Sequence, residues 1–152
     1  MRTTFTLRTL EEARPVADVA AVVCADRWRV AQALTELLVN AVEHGSLGIG
    51  NARKTALLGE DAWEAEIARR QSQPEFAHRR VRLTRERSGG VWLFSVEDEG
   101  EGFDWRPFMT PDPNRSAAPN GRGIVLARQL AFSDLTYLGA GNRLRCSAPA
   151  AR

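Results

Sequence analysis

Three polar side chains recur at four-residue intervals in the first third of the chain. Glu36, Asn40 and His44 therefore lie along one side of a predicted helix, next to a side that carries leucines and alanines. Together they offer a proton acceptor, an oxygen ligand for a hard cation and a ring that forms hydrogen bonds. A solvated polar face that ends in a histidine has the same pattern, so the stripe alone leaves both interpretations open.

A second group of candidates follows an apolar segment, residues 91–96. It reads Asp98-Glu99-Gly100-Glu101-Gly102-Phe103. A carboxylate at the end of a strand can accept a hydrogen bond from an exocyclic amine such as that of adenine. Gly100 and Gly102 lack the Cβ atoms that would keep a flat ligand at a distance. An acidic turn between a strand and a loop is the alternative interpretation.

The third group, Gly121-Arg122-Gly123-Ile124, precedes a stretch with helical periodicity that reaches Phe132. Free N–H groups and the helix dipole make such a helix start an anion site, and Arg122 adds positive charge. A flexible helix start is the alternative. The Gly-Lys-Ser/Thr of a Walker loop is absent. A dinucleotide-binding fingerprint is also excluded, because its glycines belong to an early βαβ unit.

The elements that must position these residues alternate between strand and helix patterns. One mixed sheet with helices on one face, an α+β domain covering residues 1–152, accounts for that order. The periodicity predicts strands at 3–9, 81–87, 91–97, 135–138 and 143–147, and helices at 10–25, 27–45, 51–72 in two pieces, and 121–132.

Composition narrows the classes of function. A net charge of +2, with basic and acidic residues interleaved, does not favour nucleic acid. The longest apolar segment, residues 16–25, is broken by Asp18 and is too short to span a bilayer, so no membrane partner is expected. Cys24 and Cys146 form no metal motif and suit a reducing cytoplasm. A disulfide between them stays open, and nothing in the sequence favours it.

The order of the three groups resembles the N, G1 and G2 boxes of GHKL ATPases, which share the Bergerat fold. The matching pattern is Glu36-x3-Asn40-x3-His44-Gly45, Asp98-x-Gly100-x-Gly102 and Gly121-x-Gly123-Ile124. Within that superfamily the chain looks most like the anti-sigma-factor serine kinases and related ATPase domains of bacterial signalling. The resemblance implies a two-layer α/β sandwich with a mostly antiparallel sheet.

The resemblance also implies a role for each matching residue. Glu36 would be the general base, Asn40 the Mg²⁺ ligand and Asp98 the residue that recognises adenine. His44 would brace the site. The remaining matches would surround the nucleotide of a Mg-ATP complex: Gly100, Gly102, Gly121, Arg122 as a phosphate contact, Gly123 and Ile124, with residues 104–120 as an ATP lid.

The function implied is that of a cytoplasmic ATP-binding signalling domain that acts as a serine/threonine protein kinase. Its partner would be a regulator such as an anti-anti-sigma (STAS) protein or a sigma factor. Two alternatives are an ATP-dependent partner-binding module without catalysis and a histidine kinase catalytic domain acting in trans.

The stretch 47–80 is longer than the resemblance leads one to expect, and we call it the insert. It is strongly charged. A solvated helical cover is the favoured interpretation, and a partner or homodimer surface centred on Trp63 and Ile67 is the alternative.

Overall fold

Five strands form a single open sheet in the computed structural model, which describes residues 1–102, 104–106, 127 and 131–152, with the backbone alone at Asn51. The sheet order is β1-β2-β3-β5-β4, and all four neighbouring pairs are antiparallel. The predicted α+β sandwich is therefore confirmed. The strands are β1 Arg2–Leu7, β2 Val81–Ser88, β3 Val91–Glu97, β4 Asp134–Leu138 and β5 Arg143–Pro149.

One face of the sheet carries the core because apolar residues alternate along the strands. On β3, Trp92, Phe94 and Val96 are buried, whereas Leu93 between them is 42% exposed. Val96 pairs with Leu144 of β5, which is also buried, so inward residues continue from strand to strand. The opposite face is polar. The strand boundaries lie within two residues of those predicted, because a two-residue period is visible in the sequence.

Five α-helices and one π-helix have both of their ends within the described residues. The α-helices are α1 Leu10–Ala21, α2 Arg27–Asn40, α3 Asn51–Gly59, α4 Trp63–Ser72 and α5 Pro74–Ala77, and the π-helix spans Ala41–Ser46. The inner side of α1 consists of alanines at 13, 17, 20 and 21. Such small side chains let α1 approach α2 closely over the sheet.

The predicted helix at 27–45 changes geometry at Asn40. Beyond that residue the backbone widens into the π-helix, in which the Leu47 N–H donates to the Val42 carbonyl at 2.9 Å. Short π-helical turns inside helices are often found at functional sites. Apolar periodicity does not distinguish them from α-helix, so this feature was not predicted.

The insert packs against the rest of the domain. Leu57 and Ile67 are 3% and 6% exposed, and Trp63 is half-buried with the Lys54 ammonium 4.9 Å from its ring centre. The proposal of a partner surface centred on Trp63 and Ile67 is therefore wrong at Ile67, whose side chain faces the core.

Cys24 and Cys146 are both buried free thiols. Burial raises the pKa of Cys24 to about 11 and that of Cys146 well above its ordinary value, so both stay protonated. No helix within the described residues is long and apolar enough to cross a membrane.

Candidate functional site

A cavity of about 630 Å³ lies where the π-helix, the end of β3, the insert and the β4–β5 hairpin meet. Asn40 and His44, at the end of α2 and in the π-helix, line it together with Asp98 and Gly102, which follow β3. Members of the first two predicted groups, far apart in sequence, thus line one cavity. Its volume falls within the usual range for small-molecule pockets, about 300–1,000 Å³.

Asp98 is the buried acid of this cavity, with 8% of its surface exposed. One carboxylate oxygen accepts a hydrogen bond from the Gly100 N–H at 2.8 Å. Burial raises the pKa of Asp98 to about 6, although the Gly100 bond and the nearby Arg79 oppose the rise. At neutral pH the side chain is therefore a carboxylate that can accept a hydrogen bond from a ligand amine.

Three glycines are required by close contacts between chain segments. A Cβ at Gly45 would lie 2.3 Å from the Asp98 Cγ, and a Cβ at Gly100 would lie 2.3 Å from the Gly45 carbonyl oxygen. Gly102 has a φ of +87°, and a Cβ there would lie 2.0 Å from the Ala140 oxygen. The contacts at Gly45 and Gly100 hold Asp98 and the residues after it against the π-helix, so these two glycines help to set the position of the carboxylate in the cavity.

His44 connects the π-helix to the residues that follow it. Its Nδ1 donates a hydrogen bond to the Ile49 carbonyl. Burial lowers its pKa, and the Lys54 charge adds to that effect, whereas the Ile49 bond and Glu43 oppose it. The ring is therefore neutral at pH 7, and the 3.8 Å approach of its Nε2 to the Glu43 carboxylate is not an ion pair.

Glu36 occupies a different position from the other members of its stripe. Its side chain is half-buried on α2 and is not among the residues that line the cavity. Its role as a general base therefore stays a prediction.

The G2 residues Gly121, Arg122, Gly123 and Ile124 lie outside the described residues, as do positions 107–120 of the expected lid. Of the lid, residues 104–106 are described. Asp104 lines the cavity, and the Trp105 ring stacks on Tyr137 with centroids 5.8 Å apart and planes at 17°.

Sequence reasoning missed the contribution of the insert. Arg70, Phe76 and Arg79 line the cavity, and the two guanidinium groups lie 5.8 and 5.1 Å from the Phe76 ring centre. The predicted solvated cover is therefore also a wall of the site. The charge run at 47–80 gave no sign of this, because its basic residues have no spacing that marks a ligand site.

The lining of the cavity carries both signs of charge. Asp98 is a buried hydrogen-bond acceptor there. Further basic and acidic residues line the same cavity: Arg79, Arg143, Glu75, Glu101 and Asp104. Within the described ranges, no cluster of three or more His, Cys, Asp or Glu side chains could hold a metal. Magnesium would depend on the Asn40 amide oxygen together with phosphate oxygens, the ligand type that Mg²⁺ prefers.

Comparison with known families identifies the class of protein. Residues 4–147 match the model of the histidine kinase-like ATPase domain. The chain belongs to this family, and membership of the GHKL superfamily, predicted from the three boxes, is confirmed. A search among curated proteins found no match.

Proposed function

We propose that this domain binds Mg-ATP and uses it in signalling to a regulatory protein. The observation that carries the proposal is the convergence of Asn40, His44 and Asp98 on one cavity in a histidine kinase-like ATPase domain. ATP would supply a transferable phosphoryl group, and Mg²⁺ would neutralise part of the negative charge of its phosphates. Asp98 accepts the hydrogen bond of the adenine amine, and Asn40 provides the protein's oxygen ligand to the metal.

The finer proposal is a serine/threonine kinase of the anti-sigma-factor type, acting on a STAS protein or a sigma factor in the cytoplasm. Glu36 would accept the proton of the attacking hydroxyl group. It lies one helical turn before Asn40, on the same side of α2. This activity is supported by the order of the three boxes.

A second candidate is a nucleotide-dependent binding module without phosphotransfer. The position of Glu36 outside the cavity lining favours it. In that case nucleotide occupancy would change partner affinity alone, and the partner would leave the site unmodified.

One paired experiment separates these functions. Mg-ATP affinity and phosphate transfer to candidate STAS partners are measured in the parent, Asn40→Ala and Glu36→Gln. Asn40→Ala should abolish the Mg²⁺ dependence of binding. Glu36→Gln keeps the size and polarity of the side chain, so affinity should stay near parental while transfer falls by roughly 10²–10⁴.

The outcomes discriminate cleanly. A parent that binds partner in a nucleotide-dependent way but transfers no phosphate supports the binding module. A Glu36→Gln variant with full transfer removes Glu36 from the mechanism. If Asn40→Ala keeps its Mg²⁺ dependence, the metal lies elsewhere.

A further inference from the structure

Three cationic side chains of the insert converge on the π-helix and the residue after it. The Lys54 ammonium lies 2.6 Å from the Glu43 carboxylate. Arg79 donates to the Ser46 carbonyl at 3.1 Å, and Arg70 donates to the Leu47 carbonyl at 2.7 Å. Lys54, Arg70 and Arg79 are named here the insert clamp.

Each contact compensates either a buried charge or a carbonyl group at the C-terminal end of the π-helix. Glu43 is only 3% exposed, and a buried carboxylate needs a partner that compensates its lost hydration. Ser46 and Leu47 stand at the C-terminal end of the helix, where carbonyl groups lack intrahelical donors and favour cations. The insert therefore supplies hydrogen-bond donors and positive charge to the end of this helix.

The clamped turn carries the residues that shape the cavity. His44 and Gly45 belong to it, and Gly45 packs directly against Asp98. Lys54 and Glu43 are themselves absent from the lining of the cavity. Lys54 would therefore act on a ligand without touching the cavity, through its contact with Glu43 and through its charge near His44, and both connect the insert to the site.

We propose that the insert clamp holds the π-helical turn in its binding shape, and that Lys54 is a positioning residue for the nucleotide. The inference rests on the proposed Mg-ATP binding and deepens it. The insert then does more than cover the site, because it also contributes to nucleotide affinity.

The test compares Lys54→Met with Arg53→Met, which removes the same charge from an exposed position on the same helix. The Kd for Mg-ATP should rise by about tenfold or more in Lys54→Met, the usual cost of losing an outer support of a ligand site. Arg53→Met should bind as the parent does. Lys54→Arg, which keeps the cation, should restore much of the affinity.

A second readout reports the turn directly. His44 and His78 are the two histidines of the chain, so imaging their imidazole groups by proton–carbon NMR gives two resolved probes. The His44 resonance should shift in Lys54→Met and remain parental in Arg53→Met. Because the Lys54 charge itself acts on the His44 ring, the shift should persist at a pH where His44 is fully neutral in both proteins. The His78 resonance should stay unchanged in both variants, since its ring forms a hydrogen bond with the Pro74 carbonyl, outside the π-helical turn.

Parental Mg-ATP affinity and an unmoved His44 resonance in Lys54→Met would overturn the inference. Lys54→Gln, which can still donate a hydrogen bond to Glu43, replaces Lys54→Met if that variant does not fold, with the same expected directions. A parent that binds no nucleotide overturns the proposed function alone, because the His44 resonance still decides whether Lys54 shapes the turn.

Discussion

At the scale of a single residue, the recognition role proposed for Asp98 comes with an energetic cost to the folded state. The folded state raises its pKa to about 6 from the ordinary 3.8, because burial disfavours the carboxylate. The native state therefore binds the proton more tightly than the unfolded state does. Between pH 4 and 6 the contribution of Asp98 to the free energy of unfolding should fall as pH rises, by on the order of 3 kcal/mol relative to Asp98→Asn.

Adenine recognition should have the opposite pH dependence, because it needs the charged form of Asp98. Mg-ATP affinity is expected to weaken as pH falls through about 6, where the carboxylate takes up its proton. Titration calorimetry at pH 5 to 8 measures this. Asp98→Asn should bind weakly at every pH, discriminate less between ATP and GTP, and lose the pH-dependent part of its stability. Equal affinity of the parent at pH 5 and 8 would contradict the assignment.

Gly45→Ala tests whether the contact between the π-helix and Asp98 leaves room for a side chain. In Gly45→Ala the new methyl group would stand 2.3 Å from the Asp98 Cγ, so the π-helix and the loop after β3 must separate. Such overpacking costs about 1–3 kcal/mol, and nucleotide affinity should fall with it. Urea unfolding and Mg-ATP titration check both effects.

The control is Gly59→Ala, where no atom lies within 4 Å of the added methyl group. Its stability and affinity should match those of the parent. A Gly45→Ala protein that is as stable as the Gly59→Ala protein would mean that this contact is not tight in solution.

At the scale of the element, Arg85 of β2 connects the sheet to the end of α1. It donates to the Val19 and Ala20 carbonyls at 3.2 and 2.9 Å, and its guanidinium lies over the rings of Phe5 and Trp92. Cations stabilise helix C-termini, and the rings add cation–π attraction.

Arg85→Met should therefore lower stability by about 2 kcal/mol, the cost of losing hydrogen bonds to a charged group. Thermal unfolding should shift down by roughly 4–8 °C. Arg82→Met, on the same strand but exposed, is the matched control and should change little. Similar melting temperatures for the two variants would show that Arg85 contributes nothing to the helix–sheet contact.

The elements that were predicted correctly are those whose apolar residues recur at regular intervals in the sequence. The alternation in β3 predicted its span, and the leucines of α2 predicted a helix with the start observed, although α2 ends at Asn40 and not at Gly45. The resemblance to the GHKL boxes led us to expect Asn40 and Asp98 in one site, and both line the cavity. The π-helix was missed because apolar periodicity looks alike in both kinds of helix, and only the three-dimensional structure shows the five-residue hydrogen bonding. The cavity wall from the insert was also missed, since Phe76 and Arg79 meet the site only through packing.

At the scale of the whole molecule, ligand binding should stabilise the entire domain. A ligand that binds only the native state at about 100 times its Kd adds about 2.7 kcal/mol. For a chain of this length the melting temperature should rise by roughly 5–10 °C with Mg-ATP. Differential scanning fluorimetry measures the shift, with Mg-GTP as the comparison.

The absence of any shift with ATP, ADP and a non-hydrolysable analogue would sink the nucleotide assignment. An equal shift with GTP would instead point to recognition of the phosphates alone, without a contribution from Asp98.

The strand order has a consequence for how such a domain can diverge. β3 pairs with β2 and β5, and β4 pairs only with β5, so none of these strand ladders includes the described residues 98–102 and 104–106 that follow β3. Glu101, Gly102 and Asp104 of this stretch line the cavity, and chain outside the strands tolerates substitution more readily than the strands do. Substitutions there can therefore change which ligand the cavity accepts while the pairing of the five strands stays intact.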